Sequence, residues 1–264
     1  MSTPRVRRPA FVVALAAVAA LVVPNAHAAT VSDGAPAPSS GAISYRGGLP
    51  SSLVLGRSVQ GRSIVAQRQG SAGAAHVLLV LGQMHGSEPR GRDVVRALRT
   101  LSPPAGVQVW TISTMNPDGA VAGTRRNAHG VDLNRNFPDG WLPTFSSRIY
   151  YPGPSVASEP ETRAVLAFVS RLRPDLIVSL HQAFNSVDVG NPKTRTWALR
   201  LAAALGLPTT SVPCGGPCAG TLTGWYNGSF PGYAVTVELP ASVPAALAER
   251  YARGIRSVGA RLSG

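Results

Sequence analysis

Four side chains in this sequence are of the types that cleave amides with the help of a metal. His85 and Glu88 stand three residues apart in Gln83-Met84-His85-Gly86-Ser87-Glu88. His181 follows the run Ile177-Val178-Ser179-Leu180, and Glu238 lies within Val235-Thr236-Val237-Glu238-Leu239. Two imidazoles and one carboxylate form the protein ligand set of an open zinc site, which keeps a fourth position for water. Glu238 is a carboxylate in an otherwise apolar strand. Buried without a partner it would be costly, so a catalytic or metal-linked role explains its position. Each residue taken singly reads as structural, and His-x-x-Glu alone is a weak signal. The placement of all four at strand ends or turns is what points to a metal site.

Alternating strands and helices must position these residues. Leu53 to Ser58 and Arg62 to Ala66 read as two strands around a turn at Gln60-Gly61. Val77 to Leu81 is a strand that delivers His85 and Glu88 into a turn opening a helix, Glu88 to Leu101, with Val94, Val95, Leu98 and Leu101 at helical spacing. Val107 to Ile112 is the next strand. Ser158-Glu159-Pro160-Glu161 reads as a capping box with Pro in the first turn, starting a helix to about Leu172. Leu176 to Leu180 is again a strand, Thr194 to Leu205 a helix and Ala234 to Leu239 a strand. Pro244 starts a last helix with Leu247, Tyr251, Ile255, Val258 and Leu262 on one face. Such alternation predicts an α/β sheet covered by helices on both faces.

With 264 residues and 44% hydrophobic content the chain can bury the core of one α/β domain. Residues 1–28 read as an export signal: Arg5, Arg7 and Arg8, then an apolar stretch from Pro9 to Val23, then Ala26-His27-Ala28. The apolar stretch is short of the ~20 residues of a spanning helix, which favours cleavage over an uncleaved anchor. Residues 29–41, rich in Ala, Pro, Ser and Gly, read as a disordered linker, and 42–264 as the catalytic domain. The formal net charge is +13, and loss of three Arg with the signal leaves 22 basic against 12 acidic residues, or +10. In an exported chain that charge is expected to face an anionic cell-envelope polymer rather than nucleic acid, or to be a solvated surface. The protein is expected to be secreted or wall-associated, without an integral span after cleavage, and monomeric.

A second dense stretch lies between His85 and His181, namely Asn116-Pro117-Asp118-Gly119 through Arg125-Arg126-Asn127-Ala128-His129-Gly130-Val131-Asp132-Leu133-Asn134-Arg135-Asn136-Phe137. Asn-Pro-Asp-Gly is by itself a turn, while Arg suits a planar carboxylate. Together with Ser158-Glu159-Pro160-Glu161-Thr162, Ser179-Leu180-His181 and Val237-Glu238-Leu239, this ordered series resembles the zinc carboxypeptidase family from about Leu53 to Leu262. The short form, with Arg125-x-Asn127 and Gly220-Thr221-Leu222-Thr223-Gly224-Trp225, is most similar to bacterial murein peptide amidases within that family.

The resemblance implies a three-layer α/β/α sandwich with a mixed, mostly parallel twisted sheet. It implies one zinc per chain on His85, Glu88 and His181, with Asp132 orienting His85. Glu238 would be the general base, Arg125 would stabilise the oxyanion, and Asn134 and Arg135 would hold the carboxylate of the released residue. Arg125 is preferred to Arg126 because Arg-x-Asn matches the family spacing. Thr223 would form the floor of the specificity pocket and, being neutral, gives no support for basic terminal residues. Where digestive members carry a mobile tyrosine, this chain has Cys214-Gly215-Gly216-Pro217-Cys218, and Tyr226 lies too near Glu238 in sequence to replace it. Export favours a disulfide between Cys214 and Cys218, worth about 2 kcal/mol for so small a loop. The expected activity is hydrolysis of an amide bond beside a carboxylate-bearing terminal residue, on wall peptides. Ordinary peptides are the alternative substrate, and a non-catalytic basic wall-binding protein of the same fold the alternative class.

Overall fold

The computed structural model describes residues 49–212 and 218–264. The export-signal and linker assignments, the start of the catalytic domain at Ala42, and Cys214 lie outside the described residues. Eight strands form one sheet: β1 (Ser52–Arg57), β2 (Ser63–Gln69), β3 (His76–Leu81), β4 (Val107–Ile112), β5 (Leu176–Gln182), β6 (Ser186–Asp188), β7 (Thr209–Thr210) and β8 (Tyr233–Leu239). Their spatial order is β1-β2-β4-β3-β5-β8-β6-β7. The central pairs β4·β3, β3·β5 and β5·β8 are parallel, as is β6·β7, while β1·β2, β2·β4 and β6·β8 are antiparallel. The sheet is therefore mixed and mostly parallel.

Among the described residues six α-helices cover it: α1 (Arg90–Leu98), α2 (Pro117–Ala122), α3 (Pro160–Leu172), α4 (Arg195–Leu205), α5 (Leu222–Ser229) and α6 (Ala245–Ala260). Strand alternation sorts the core into two layers. Leu78, Val80, Val178, Leu180, Val235 and Val237 pack with α1, α4 and α6. Val77, Leu79, Leu81, Trp110, Ile112 and Ile177 face α3 and α5 on the other side. Central strands buried on both faces need continuous apolar runs, which His-Val-Leu-Leu-Val-Leu in β3 supplies. Each such aliphatic side chain taken from water contributes about 1.5–3 kcal/mol.

Chain order creates the crevice. From β3 the chain moves to β4 on one side, then returns to place β5 on the other. Ligand sites in such sheets lie at the carboxyl ends of the strands where this order reverses. The turn after β3 and the end of β5 carry His85 and His181 to that point.

Several local elements differ from the sequence expectation. Helix α1 starts at Arg90 rather than Glu88, because Pro89 occupies the N-cap position; Glu88 stays in the preceding turn, free to face His85. Ser158-Glu159-Pro160-Glu161 is not a capping box. Glu159 is the N-cap residue and makes no side-chain cap bond. The Ser158 hydroxyl bonds the Glu159 carboxylate, while Asn127 Nδ2 donates to Glu159 at 2.7 Å and to Glu161 at 3.1 Å. The motif thus clamps the long loop before it. Asn116-Pro117-Asp118-Gly119 opens helix α2 instead of a simple turn, with Asn116 Oδ1 accepting from Gly119 N at 2.9 Å and Pro117 at the first helical position. A Cβ on Gly86 would run into the Gly119 backbone, so the glycine inside His-Gly-Ser-Glu permits this helix to pack against the turn.

Candidate metal centre and substrate cavity

His85, Glu88 and His181 converge, with one ligand atom from each lying within 4.8 Å of the others. All three are buried. His85 Nδ1 is 2.8 Å from Glu88 Oε1, His181 Nδ1 is 3.2 Å from Glu88 Oε2, and the two Nδ1 atoms are 3.3 Å apart. Nitrogens bound at ~2.0–2.1 Å around a tetrahedral zinc stand ~3.3 Å apart, so the donor spacing fits that ion. The outer ring atoms are engaged elsewhere. His85 Nε2 meets Asp132 Oδ1 at 3.0 Å and His181 Nε2 meets Ser179 Oγ at 3.2 Å. These partners leave both Nδ1 atoms to face the common centre.

The electrostatics fit a cation as well. Burial works against a charged His85, yet the carboxylates of Asp132 and Glu88 push its imidazole up to about 9. Burial likewise opposes the ionised forms of Glu88 and Asp132, but His85 holds both well below the usual carboxylate range, helped by His181 for Glu88 and by Arg125 and Arg135 for Asp132. A field that retains a proton here also favours a divalent ion between the same donors.

Glu238 adjoins this centre through strand register, since β8 places it opposite His181 of β5. Burial raises its carboxyl above the usual value. Its Oε2 is buried and has no hydrogen-bond partner among the described residues. An orphaned carboxylate oxygen at the mouth of a cavity is a place for a water or substrate proton.

Arg125 lines the cavity and is held by Asp132, which accepts from its Nε at 3.0 Å and its Nη2 at 2.9 Å, while Nη1 reaches Glu88 Oε1 at 3.3 Å. Arg126 turns away to the carbonyls of Gly130 and Arg148. Asn134 and Arg135 line the same cavity; Asn134 Oδ1 accepts from Leu222 N at 3.1 Å, and Arg135 Nη1 donates to the Asn134 carbonyl at 2.6 Å. Gly220, at φ 68°, lets the chain before α5 pass against the Arg135 backbone, which a Cβ would prevent. Thr223 on α5 lies 3.4 Å from Thr236 of β8, Oγ1 to Oγ1, and both line the cavity wall.

The cavity has a volume of about 650 Å³, within the range for small-molecule sites. Beyond the centre its wall is mixed, with polar Asp188, Asn191, Thr194, Ser211 and Asn227 beside apolar Phe184, Pro192, Val212 and Val235. Cys218 lies at this wall and is not a free thiol. Tyr226 is fully buried, its hydroxyl donating to the Pro174 carbonyl, and does not enter the cavity. A different tyrosine does. Tyr150 lines the cavity with the Arg125 and Arg135 guanidinium carbons 5.3 and 5.4 Å from its ring centroid. It sits in the long connection before α3, where no periodicity marks it; its tandem with Tyr151 ahead of Pro152-Gly153 is the local signal the sequence offers.

The switch-point crevice holds a two-His, one-Glu donor set of the kind an open zinc site uses. Residues 105–188 match the family model described as zinc carboxypeptidase. Murein peptide amidase A of Escherichia coli (strain K12) is 34% identical over 148 residues, covering 51% of this chain and 60% of that protein. The catalytic chain of human carboxypeptidase N is 30% identical over 171 residues, covering 48% of this chain and 36% of its own. The chain thus spans less than two thirds of the length of these relatives. Among solved structures, murein-tripeptide amidase MpaA from Escherichia coli O157 superposes with a TM-score of 0.67 at 27% identity, covering 82% of this chain and 94% of that one. Carboxypeptidase A from Helicoverpa armigera, at 20% identity and a TM-score of 0.67 over 80% of this chain and 67% of its own, shares the fold. The chain is thus similar to the zinc carboxypeptidases over residues 105–188 and to the murein peptide amidases over about half of its length.

Proposed function

We propose that this protein is an exported zinc-dependent amidase that releases a carboxylate-bearing terminal residue from cell-wall peptides, such as diaminopimelate from γ-D-glutamate. The observation that carries the reading is the convergence of the His85, Glu88 and His181 donors beside the orphaned Glu238 oxygen, all lining one cavity. When bound, the zinc supplies a Lewis acid for the scissile carbonyl and lowers the pKa of a water to about 7. Glu238 accepts the proton of the attacking water and passes it to the departing amine nitrogen; burial brings its proton affinity nearer to neutral pH. Arg125, held by Asp132, offers Nη1 to the negative charge developing on the carbonyl oxygen. Asn134 and Arg135 hold the terminal carboxylate, and Thr223 forms part of the side-chain pocket.

Asp132 fixes the tautomer of His85, so that Nδ1 is the ligating atom. Export is supported by the leader-like first 28 residues, and among the described residues no helix is long and apolar enough to cross a membrane. Cys218 pairs with Cys214, the other cysteine of the sequence, stiffening the rim of the pocket. The polar side chains set into the cavity wall and the likeness to murein peptide amidases support a wall peptide as substrate. The likeness to carboxypeptidase N supports a second reading, in which the substrates are ordinary peptides. Incubating zinc-loaded protein with purified wall tripeptide and with N-terminally blocked ordinary peptides separates them. Release of diaminopimelate is expected; turnover of ordinary peptides alone would exclude the wall assignment, and turnover of neither would exclude the enzyme.

A further inference from the structure

The sheet borders a second cavity at its other edge. The metal donors gather at the carboxyl ends of β3 and β5, whereas the amino ends of β3, β5 and β8 surround a separate hollow of about 520 Å³. His76 starts β3, Asp175 directly precedes β5 and Tyr233 starts β8. Asp175 and His181 lie six positions apart along one strand direction, about 20 Å at the ~3.3 Å rise of a parallel strand. Buried Tyr226 lines the inner wall, its hydroxyl donating to the Pro174 carbonyl. Nothing in the proposed reaction uses this hollow.

Aromatic faces and positive charge meet there. Trp197 of α4 and Tyr233 are half-buried, with ring centroids 5.9 Å apart and planes inclined by 46°. Such faces receive the C–H face of a sugar ring, which carries its hydroxyls at the edge. Arg173 and Arg261 line the same cavity, and the Arg200 guanidinium stands 4.8 Å from the Trp197 ring centre. The lining carboxylate, Asp175, is engaged at the start of β3, accepting from Val77 N at 2.7 Å with His76 Nδ1 at 3.9 Å. Arg173 closes α3 at φ 48°, a left-handed position that glycine fills without strain. Other residues held in that region concentrate at binding and switch sites.

We infer that this amino-end cavity is a second binding site, for an acidic glycan: a chain of sugars bearing carboxylates, with sugar rings on Trp197 and Tyr233 and carboxylates on Arg173 and Arg261. Guanidinium groups pair with planar carboxylates through two parallel hydrogen bonds. Flat aromatic faces with half-buried His76 and Asp175 beside them suit rings edged with hydroxyls better than an extended peptide. The net charge of +13 favours an acidic polymer over a neutral one without fixing where it binds, and this cavity supplies the place. Binding here is independent of the amidase reading. A polymer held at the amino ends leaves the metal cavity open at the opposite edge.

Calorimetric titration of the zinc-loaded protein at physiological ionic strength tests this with three ligands of matched length: oligosaccharides alternating N-acetylglucosamine and glucuronate, uncharged chito-oligosaccharides, and poly-L-glutamate. The acidic oligosaccharide is expected to bind about tenfold or more tighter than the other two, which lack the charge and the sugar ring respectively. Trp197→Ala is expected to weaken it about 30-fold, as loss of an aromatic anchor does, and Arg261→Ala about tenfold. Arg173→Gly removes the guanidinium and keeps the left-handed backbone, so affinity should fall about tenfold with the unfolding temperature unchanged or raised. Glu238→Gln and removal of zinc are expected to leave the affinity as it is. Poly-L-glutamate binding equally well, with affinity that survives Trp197→Ala, would show diffuse charge attraction in place of a site. Loss of binding with Glu238→Gln or on zinc removal would put the glycan in the metal cavity. Either result overturns the inference, as do equal affinity for chito-oligosaccharides and absence of binding.

Discussion

At the metal-facing end of the cavity each donor is buried and tied to a further residue, His85 to Asp132, His181 to Ser179 and Glu88 to Arg125. At the far end, Asp188, Asn191, Ser211 and Thr223 are half-buried or exposed and lie on short or irregular elements. The first end is built on central strands whose positions are over-determined by two core layers; the second hangs on the sheet margin, where β6 has three residues and β7 two. Rigidity lies where metal binding needs geometry kept within tenths of an ångström, and looser support where, on the proposed function, the substrate's side chain would be selected. If this contrast holds, substitutions at the first end abolish chemistry or metal retention, while those at the second redistribute preference among substrates.

The largest effect is expected from Glu238→Gln. Turnover should fall by about 10²- to 10⁴-fold with zinc content unchanged, because proton transfer is lost and the ligands are kept. Metal analysis beside steady-state kinetics checks both halves, and turnover near that of wild type would remove Glu238 from its role. Asp132→Asn is expected next, weakening zinc binding by about 10- to 100-fold through loss of the acceptor that orients His85. A chelator-competition titration reads this directly, and an unchanged affinity would show that Arg125 and Asp132 support each other rather than the metal.

The pH dependence of zinc affinity sharpens the same end of the comparison. In the zinc-free protein the His85 pKa is raised to about 9. Its proton therefore contributes stability that is fully present below the ordinary value of 6.5 and is lost as pH rises through about 9. Zinc must displace that proton, so apparent affinity should climb about tenfold per pH unit up to about pH 9. A flat profile would place the proton elsewhere. The smallest effect is expected at Tyr150→Ala, which removes the ring under Arg125 and Arg135. A cation–π contact of ~0.5–2 kcal/mol corresponds to a rise in KM of about two- to thirtyfold, with kcat changed less and Tyr150→Phe close to wild type.

The same contrast explains what was legible in the sequence. β3, β4, β5 and β8 announce themselves as apolar runs because they are buried on both faces, and the residues that follow them inherit their positions. Asn116-Pro117-Asp118-Gly119 carries two signals, a turn and a capped helix start, and only packing of α2 on Gly86 decides between them. Helix α5, Leu222–Ser229, contains two glycines and no helical stripe strong enough to mark it; burial of Leu222, Trp225 and Tyr226 sustains it. Ser158 and Glu159 have the residue types of a capping box, yet their hydrogen bonds go to the loop bearing Asp132. Asp188 and Tyr150 lie outside any periodic segment, so nothing local connects them to a cavity assembled from six distant parts of the chain.

Diffraction at the zinc absorption edge from crystals of the zinc-loaded protein tests the central claim most directly. The account predicts one anomalous peak, ~2.0–2.1 Å from Nδ1 of both His85 and His181 and bonded to the Glu88 carboxylate. A peak at another cluster, or none at this one under zinc saturation, would contradict it.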